Sequence, residues 1–264
     1  MNEIKIIVAD KELVYAVPAT FDEMTREQFI LTAERIIHAA AGVENDNYFI
    51  AMTGIEKKCW DKLHFFQRYS IKELFGFITL NSPSISKQLL PYIETGGKQY
   101  IGYQPGFSNT TWQEFIVADQ YILSGKFREA AACLYRPQRK HYAGETDRRV
   151  PFTMYGTSNR LPHFNNLPEA ELLAFVLNYK SLRKRNLEEI YPFVFPNNKP
   201  RTETNPETPG TRLASEAEPQ FSWLAIHRDL MGDHFYDETK FYNLNLHVVL
   251  NRLNTVIKEN RKKK

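Results

Sequence analysis

Between Pro196 and Pro219 the chain carries five prolines, no aromatic residue and one large aliphatic side chain, Leu213. Proline has no amide hydrogen to give to a helix or sheet, and so polar a stretch buries too little apolar surface to offset the entropy of ordering it. No regular element crosses it, and residues 196–220 are expected to form a disordered linker. The chain is thereby divided into a body at 1–195, which must build its own core, and a C-terminal unit at 221–264. So short a unit is not secure alone; it must settle on the body, on a partner or on another copy of itself.

A length of 264 residues allows one or two domains with a true core. Forty-two per cent hydrophobic residues with 25 per cent charged ones excludes disorder of the whole chain. The net charge of +3 is too small for a dedicated nucleic-acid binder, so any basic function is local. Cys59 and Cys133 lie far apart with no CxxC, which reads as two buried thiols and not as a disulfide framework or zinc site. The N-terminus lacks a basic region leading into a long apolar one, and no apolar run approaches the ~18 residues that span a membrane. The reading is a cytoplasmic protein without a membrane partner.

Hydrophobic periodicity supplies the elements. Ile4, Ile6 and Val8, then Leu13, Tyr15 and Val17, alternate about the polar turn Asp10-Lys11-Glu12 and predict a β-hairpin. Thr25 and Gln28 form a capping-box pattern ahead of Phe29, Ala33, Ile36, Ile37 and Ala40 at helical spacing, up to Gly42. Aromatic-rich segments at 48–52 and 60–66, and a second capping pattern from Ser70 to Glu73 leading into Leu74, Phe75 and Ile78, predict short helices side by side. Residues 95–109, TGGKQYIGYQPGFSN, predict a loop or small hairpin. Their lysine after two glycines does not make a phosphate loop, because the Walker spacing and the following Ser or Thr are missing. Thr110-Thr111-Trp112-Gln113 form a capping box that opens a helix with the stripe Trp112, Phe115, Ile116, Asp119 and Leu123. Asn165 or Asn166 is expected to cap a long helix with the stripe Leu172, Phe175, Val176, Tyr179 and Leu182, ending in the aromatic anchor Tyr191-Pro192-Phe193-Val194-Phe195. Beyond the linker, two amphipathic helices are expected. The fold class is mainly α: a helical, bundle-like body with a small N-terminal β-hairpin and a C-terminal helix pair.

The stretch KFREAAACLYRPQRKHYAGETDRRVPF, at 126–152, begins as a helix with the face Phe127, Ala130, Ala131 and Leu134, and is stopped by Pro137. From Lys126 to Arg149 it carries seven basic residues against three acidic ones. Arg136, Arg148 and Arg149 could contact an anion, but in a nearly neutral protein a salt-bridged loop or a protein contact is the better account. Asp119, a carboxylate on an apolar stripe, needs a partner. The reading is that Arg148 or Arg149 pairs with a carboxylate of the body, Asp119 being the best candidate, and that Asp147 orients the turn, so that the loop acts as a pin.

No GxSxG elbow, HExxH helix, dinucleotide-binding glycine pattern or EF-hand loop occurs. His227, Asp229, Asp233, His234 and Asp237 are metal-compatible types, but the two histidines are seven apart with Gly232 between them, so one helical face is not assured. No catalytic residue, metal site or cofactor is assigned, and the chain is read as a non-enzyme.

The succession VPATFDEMTREQF, then WQEFIVAD leading to CLYRP, DRRVPF, a long helix ending in YPFVF, a polar linker and a tryptophan-led terminal helix pair resembles proteins from the structural modules of tailed bacteriophages and prophages. Within those modules it is most similar to proteins in the position of tail assembly chaperones, over nearly the whole chain as an order of features. The resemblance implies a non-enzymatic factor that keeps the long, hydrophobic tape-measure protein soluble until tail-tube subunits polymerise around it. It implies no catalytic residues and gives the basic loop no role. The alternatives are a structural virion component, such as a connector or tail-completion protein, and, behind it, a nucleic-acid-binding accessory protein. Trp223, Ile226 and Leu230 are then either the apolar face of a clasp that closes on the partner or part of the chain's own core.

Overall fold

The computed structural model describes residues 1–8, 11–42, 46–78, 84–141, 147–195, 223–231 and 237–262; the linker expected at 196–220 lies outside them. Strands β1 (Asn2–Val8) and β2 (Lys11–Val17) pair antiparallel, with Ile4 opposite Tyr15 and Ile6 opposite Leu13. Their period of two turns Ile4, Ile6 and Val17 into the core and leaves Ile7 and Val14 in water. Helix α1 (Arg26–Ala40) starts at the predicted capping box: the Gln28 amide donates to Thr25 Oγ1 at 3.2 Å and the Thr25 amide donates to Gln28 Oε1 at 3.0 Å.

Three short helices follow: α2 (Asn47–Thr53), α3 (Lys57–Trp60) and α4 (Phe65–Glu73). Helices α2 and α3 meet through Phe49 and Trp60, with ring centroids 6.4 Å apart, and Phe75, two residues past α4, packs on Phe49 at 5.7 Å. The Ser70 to Glu73 pattern is not a cap. Helix α4 has already begun there, the His64 amide donates to Gln67 Oε1 at 2.7 Å, and the Ser70 hydroxyl donates back to the Phe66 carbonyl. A capping pattern inside a longer helix is satisfied by the turn before it.

The stretch read as a loop holds a small hairpin, β3 (Tyr92–Thr95) and β4 (Lys98–Ile101). Its second strand continues into a bridge between Ile101 and Arg136, so the segment after α6 is held by backbone on one side. At Gly102 a Cβ would lie 2.8 Å from the Tyr135 ring, and only glycine admits that approach. Helices α5 (Trp112–Leu123), α6 (Phe127–Leu134), α7 (Met154–Phe164) and α8 (Glu169–Arg183) form the centre of the body, with α5 against α6, α6 against α7 and α1 along α8. On α5 the stripe closes with Ile122; Leu123 is 57% exposed. Helix α8 is preceded by Pro168 and not capped by either asparagine. It passes into one π-helical turn, Lys184–Glu188, before the anchor, of which Tyr191, Val194 and Phe195 are buried as read.

The C-terminal unit consists of α9 (Trp223–Met231), α10 (Glu238–Tyr242) and α11 (Leu246–Lys262), its second predicted helix being split at Asn243–Asn245. It sits on the body. The Trp112 amide donates to the Leu244 carbonyl at 2.8 Å, the Leu246 amide donates to the Thr110 carbonyl at 3.0 Å, and Trp223, Leu246, Val249, Leu250 and Leu253 join the hydrophobic core of the body. No helix among the described residues is long and apolar enough to cross a membrane.

Candidate functional site

Helix α5 carries two carboxylates on buried faces, Glu114 and Asp119, and each organises its own cluster. Glu114 stands in the first turn, where Thr111 Oγ1 accepts from its amide at 3.3 Å. Arg136 and Arg149 reach it from the two ends of the basic loop. Arg149 Nη1 donates to Glu114 Oε1 at 2.8 Å and to the Leu134 carbonyl at 2.7 Å; its Nη2 donates to the Asn109 carbonyl at 2.8 Å, and its Nε to Asp147 Oδ1 at 2.9 Å. Arg136 Nη2 donates to Glu114 Oε2 at 2.9 Å and Asp147 Oδ2 at 2.8 Å, while Nη1 donates to the Val150 carbonyl at 2.6 Å. Two guanidiniums and two carboxylates thus balance, with backbone carbonyls taking further forks, while Arg136 Nε is buried without a hydrogen-bond partner.

The backbone reinforces the arrangement. The Arg139 amide donates to the Arg148 carbonyl and the Val150 amide to the Pro137 carbonyl, both at 2.9 Å, which closes the loop across its neck. Burial opposes ionisation of Asp147, but hydrogen bonding and charge from Arg149, with charge from Arg136, outweigh it and hold the carboxyl below the ordinary range. Burial pulls the Arg136 guanidinium down, whereas Glu114 and Asp147 more than offset the same penalty at Arg149.

The predicted pin is therefore present, but its carboxylate partner is Glu114 and not Asp119. Residues five apart on a helix point about 140° from each other, so only one of the two can face the loop. Arg149 is the buried arginine; Arg148 lies exposed on the loop's outer side. Nothing in the sequence separates Glu114 from an ordinary first-turn acid. Arg160, in a helix with no apolar stripe, is buried outside this cluster, its Nε donating to the Ala132 carbonyl at 3.0 Å, near the end of α6.

Asp119 faces α8 and α9. It accepts from the Tyr179 hydroxyl at 2.9 Å and the Trp223 indole Nε1 at 2.7 Å, and pairs with Arg183 Nε at 2.7 Å. The Trp223 ring meets Trp112, Phe115 and Phe195 at centroid distances of 5.5, 5.2 and 5.6 Å. Of the two readings of Trp223, Ile226 and Leu230, this geometry is the second: Trp223 is 1% exposed, the other two are half-buried against the same core, and the face expected to clasp a partner is turned onto the chain itself. A buried carboxylate with an indole N–H to satisfy it explains why. His227 is similarly engaged, its Nδ1 accepting from Trp112 Nε1 at 3.2 Å and its ring stacked on Tyr242. Asp233 and His234 lie outside the described residues, among which no group of three metal-ligating side chains converges.

A cleft of about 580 Å³ lies beside this second cluster, lined by Ile85, Ile122, Leu177, Lys180, Arg183 and Glu188 among others. Arg183 is already paired on both sides, with Asp119 and with Glu188.

One surface feature runs against the sequence reading, which expected the aromatics near residue 66 to be packing residues. Phe65, Phe66 and Tyr69 of α4 are 71%, 73% and 54% exposed. Their rings touch one another, Phe65 on Phe66 at 5.6 Å edge-on and Phe65 on Tyr69 at 6.5 Å stacked. The helix buries its opposite side through Ile71.

No family description, curated protein or solved structure matches the chain.

Proposed function

We propose that this chain is a non-enzymatic assembly factor that binds an extended helical protein, a tail assembly chaperone acting on the tape-measure protein of a tailed phage or prophage in the host cytoplasm. The observation that carries the reading is the outward aromatic face of α4, since contiguous exposed aromatics mark interaction surfaces on otherwise well-packed proteins. The internal pairing of the Glu114 and Asp119 clusters supports it too, because those charges fasten elements of the body together.

Co-expression with fragments of a phage tape-measure protein tests the proposal. The expected result is a soluble complex with a fragment that sediments when expressed alone. Fragments that sediment equally with and without this chain overturn the chaperone role, and recovery of the chain as a fixed component of purified particles replaces it with that of a structural virion protein.

A further inference from the structure

We infer that the cleft between α5 and α8 is a binding site for a small organic phosphate monoester, its phosphate held by Lys180, Lys184 and Arg185 and its apolar body laid on Ile122, Leu123 and Leu177. The site shares no residue with the α4 face and stands or falls apart from the partner-binding reading. At about 580 Å³ the cleft lies within the range of small-molecule sites, about 300–1,000 Å³.

On α8 and the turn that follows it, the lining residues Leu177, Lys180, Ser181, Lys184 and Arg185 are spaced at i, i+3, i+4, i+7 and i+8, so one helical face supplies an apolar foot and three cations. The β-carbons of residues four apart stand about 5–6 Å from each other, and two lysine ammoniums on flexible stems can meet at a common point. At Lys184 the helix passes into its π-helical turn, the Glu189 amide donating to the Lys184 carbonyl at 3.0 Å, and such turns are rare and found frequently at functional sites. Opposite stand Ile122 and Leu123 of α5. Leu123 continues an apolar stripe yet is 57% exposed, and an apolar body seated in the cleft covers it.

Charge selects the ligand. Four cations and three carboxylates line the cleft, but they are not equally engaged. Asp119 and Glu188 both pair with Arg183, and Asp119 also accepts from Tyr179 and Trp223, so that group is closed on itself. Lys180, Lys184 and Arg185 are exposed and make no side-chain hydrogen bond or ion pair among the described residues, and Glu189 is the carboxylate of the lining left to face them. Their place near the carbonyl end of α8 accounts for cations as such, but not for their gathering beside an aliphatic wall. Like charges one turn apart repel, and an anion between them relieves the repulsion. A phosphate monoester brings a charge of about −1.5 to −2 at pH 7 and three acceptor oxygens, one for each cation, where a carboxylate brings less of both. The apolar lining residues Ile85, Ile122, Leu123 and Leu177 are all aliphatic, which suits an alkyl body.

Calorimetric titration of the full chain with octyl phosphate, below its micelle concentration, tests the site, with octanol and inorganic phosphate as controls. Octyl phosphate is expected to bind one to one, more weakly as salt is added, and about tenfold or more tightly than inorganic phosphate, with no binding of octanol. Lys184→Gln/Arg185→Gln should weaken octyl phosphate about tenfold or more, the loss of a hydrogen bond between charged groups. Leu123→Ser should weaken it several-fold and leave inorganic phosphate unchanged. All three side chains are exposed, so the variants' thermal midpoints should match the parent's. Failure of octyl phosphate to bind, or undiminished binding by the double variant, overturns the site, and equal binding of octanol reduces the cleft to an apolar surface. Flotation on phosphatidic acid vesicles that the double variant loses, without binding of the free octyl ester, replaces the soluble ligand with a lipid headgroup and overturns the proposal as stated.

Discussion

Arg149 and Glu114, 35 residues apart in the chain, meet at 2.8 Å inside the protein with both side chains closed to solvent. The pair joins the first turn of α5 to the far end of a loop that a sequence reader takes for a basic surface. Because the arginine also donates to the Leu134 and Asn109 carbonyls, it fixes the end of α6 and the approach to α5 together. Desolvating these charges is costly, and the balance of two guanidiniums against two carboxylates makes the arrangement tolerable.

The first prediction follows from that balance. Glu114→Ala leaves Arg136 and Arg149 buried with Asp147 as their remaining carboxylate, and should lower unfolding stability by about 3–5 kcal/mol. Lys57→Ala, which breaks an exposed pair, should cost about 0–1 kcal/mol. Urea unfolding of both variants compares them directly, and similar losses would mean that the Glu114 cluster is solvated in solution.

Acid should act through the same cluster. Asp147 keeps its charge in the folded state at a pH where the unfolded carboxyl takes up a proton, so below about pH 4 the unfolded chain binds more protons and stability falls with pH. The contribution is fully present at neutral pH. Asp147→Asn should be less stable at pH 7 yet lose less on acidification, its curve of thermal midpoint against pH being shallower between about 5 and 3. Asp22 and Asp46 are also held low, each by partners that outweigh burial, so part of the acid slope should survive the substitution. A variant curve parallel to the parent's would remove Asp147 from the account.

At the second carboxylate the decisive donor is an indole. Trp223→Phe preserves most of the ring contacts with Trp112, Phe115 and Phe195 but deletes the N–H that Asp119 accepts, and should cost about 1.5–3 kcal/mol, the range for hydrogen bonds to charged groups. Amide exchange in α9 should quicken. A double-mutant cycle with Asp119→Asn should return a coupling energy; a value of zero would assign the loss to packing alone.

The helices of the body were legible because their apolar stripes recur at the helical period, Phe29 and Ala33 on α1, Leu172, Phe175 and Tyr179 on α8. Helix α7 was not, since its buried residues are Thr157, Arg160 and Phe164 and it contains Pro162. The pin was legible as a need, a carboxylate and arginines requiring each other, but not as a pairing. Periodicity marks Asp119 as anomalous only because it sits among apolar neighbours; Glu114, at a position where acids complement a helix N-terminus anyway, gives no such signal. The α4 face was misread for the converse reason, as aromatic residues announce burial far more often than exposure.

The last prediction reverses what the linker alone suggests. A polar, proline-rich connection predicts that removing residues 221–264 leaves an intact body. The packing predicts damage instead. Without α9 and α11 the body loses Trp223 from above Trp112 and Phe115, Asp119 loses a donor, and the Trp112 amide loses the Leu244 carbonyl. Each large apolar side chain returned to water costs roughly 1.5–3 kcal/mol, so several such losses consume much of the 5–15 kcal/mol that holds a typical domain. The truncated chain should show a markedly lower thermal midpoint and bind a hydrophobic dye. Should it unfold at the same temperature as the full chain, the C-terminal helices would be resting on the body without stabilising it, and Trp223, Ile226 and Leu230 would again be available to a partner.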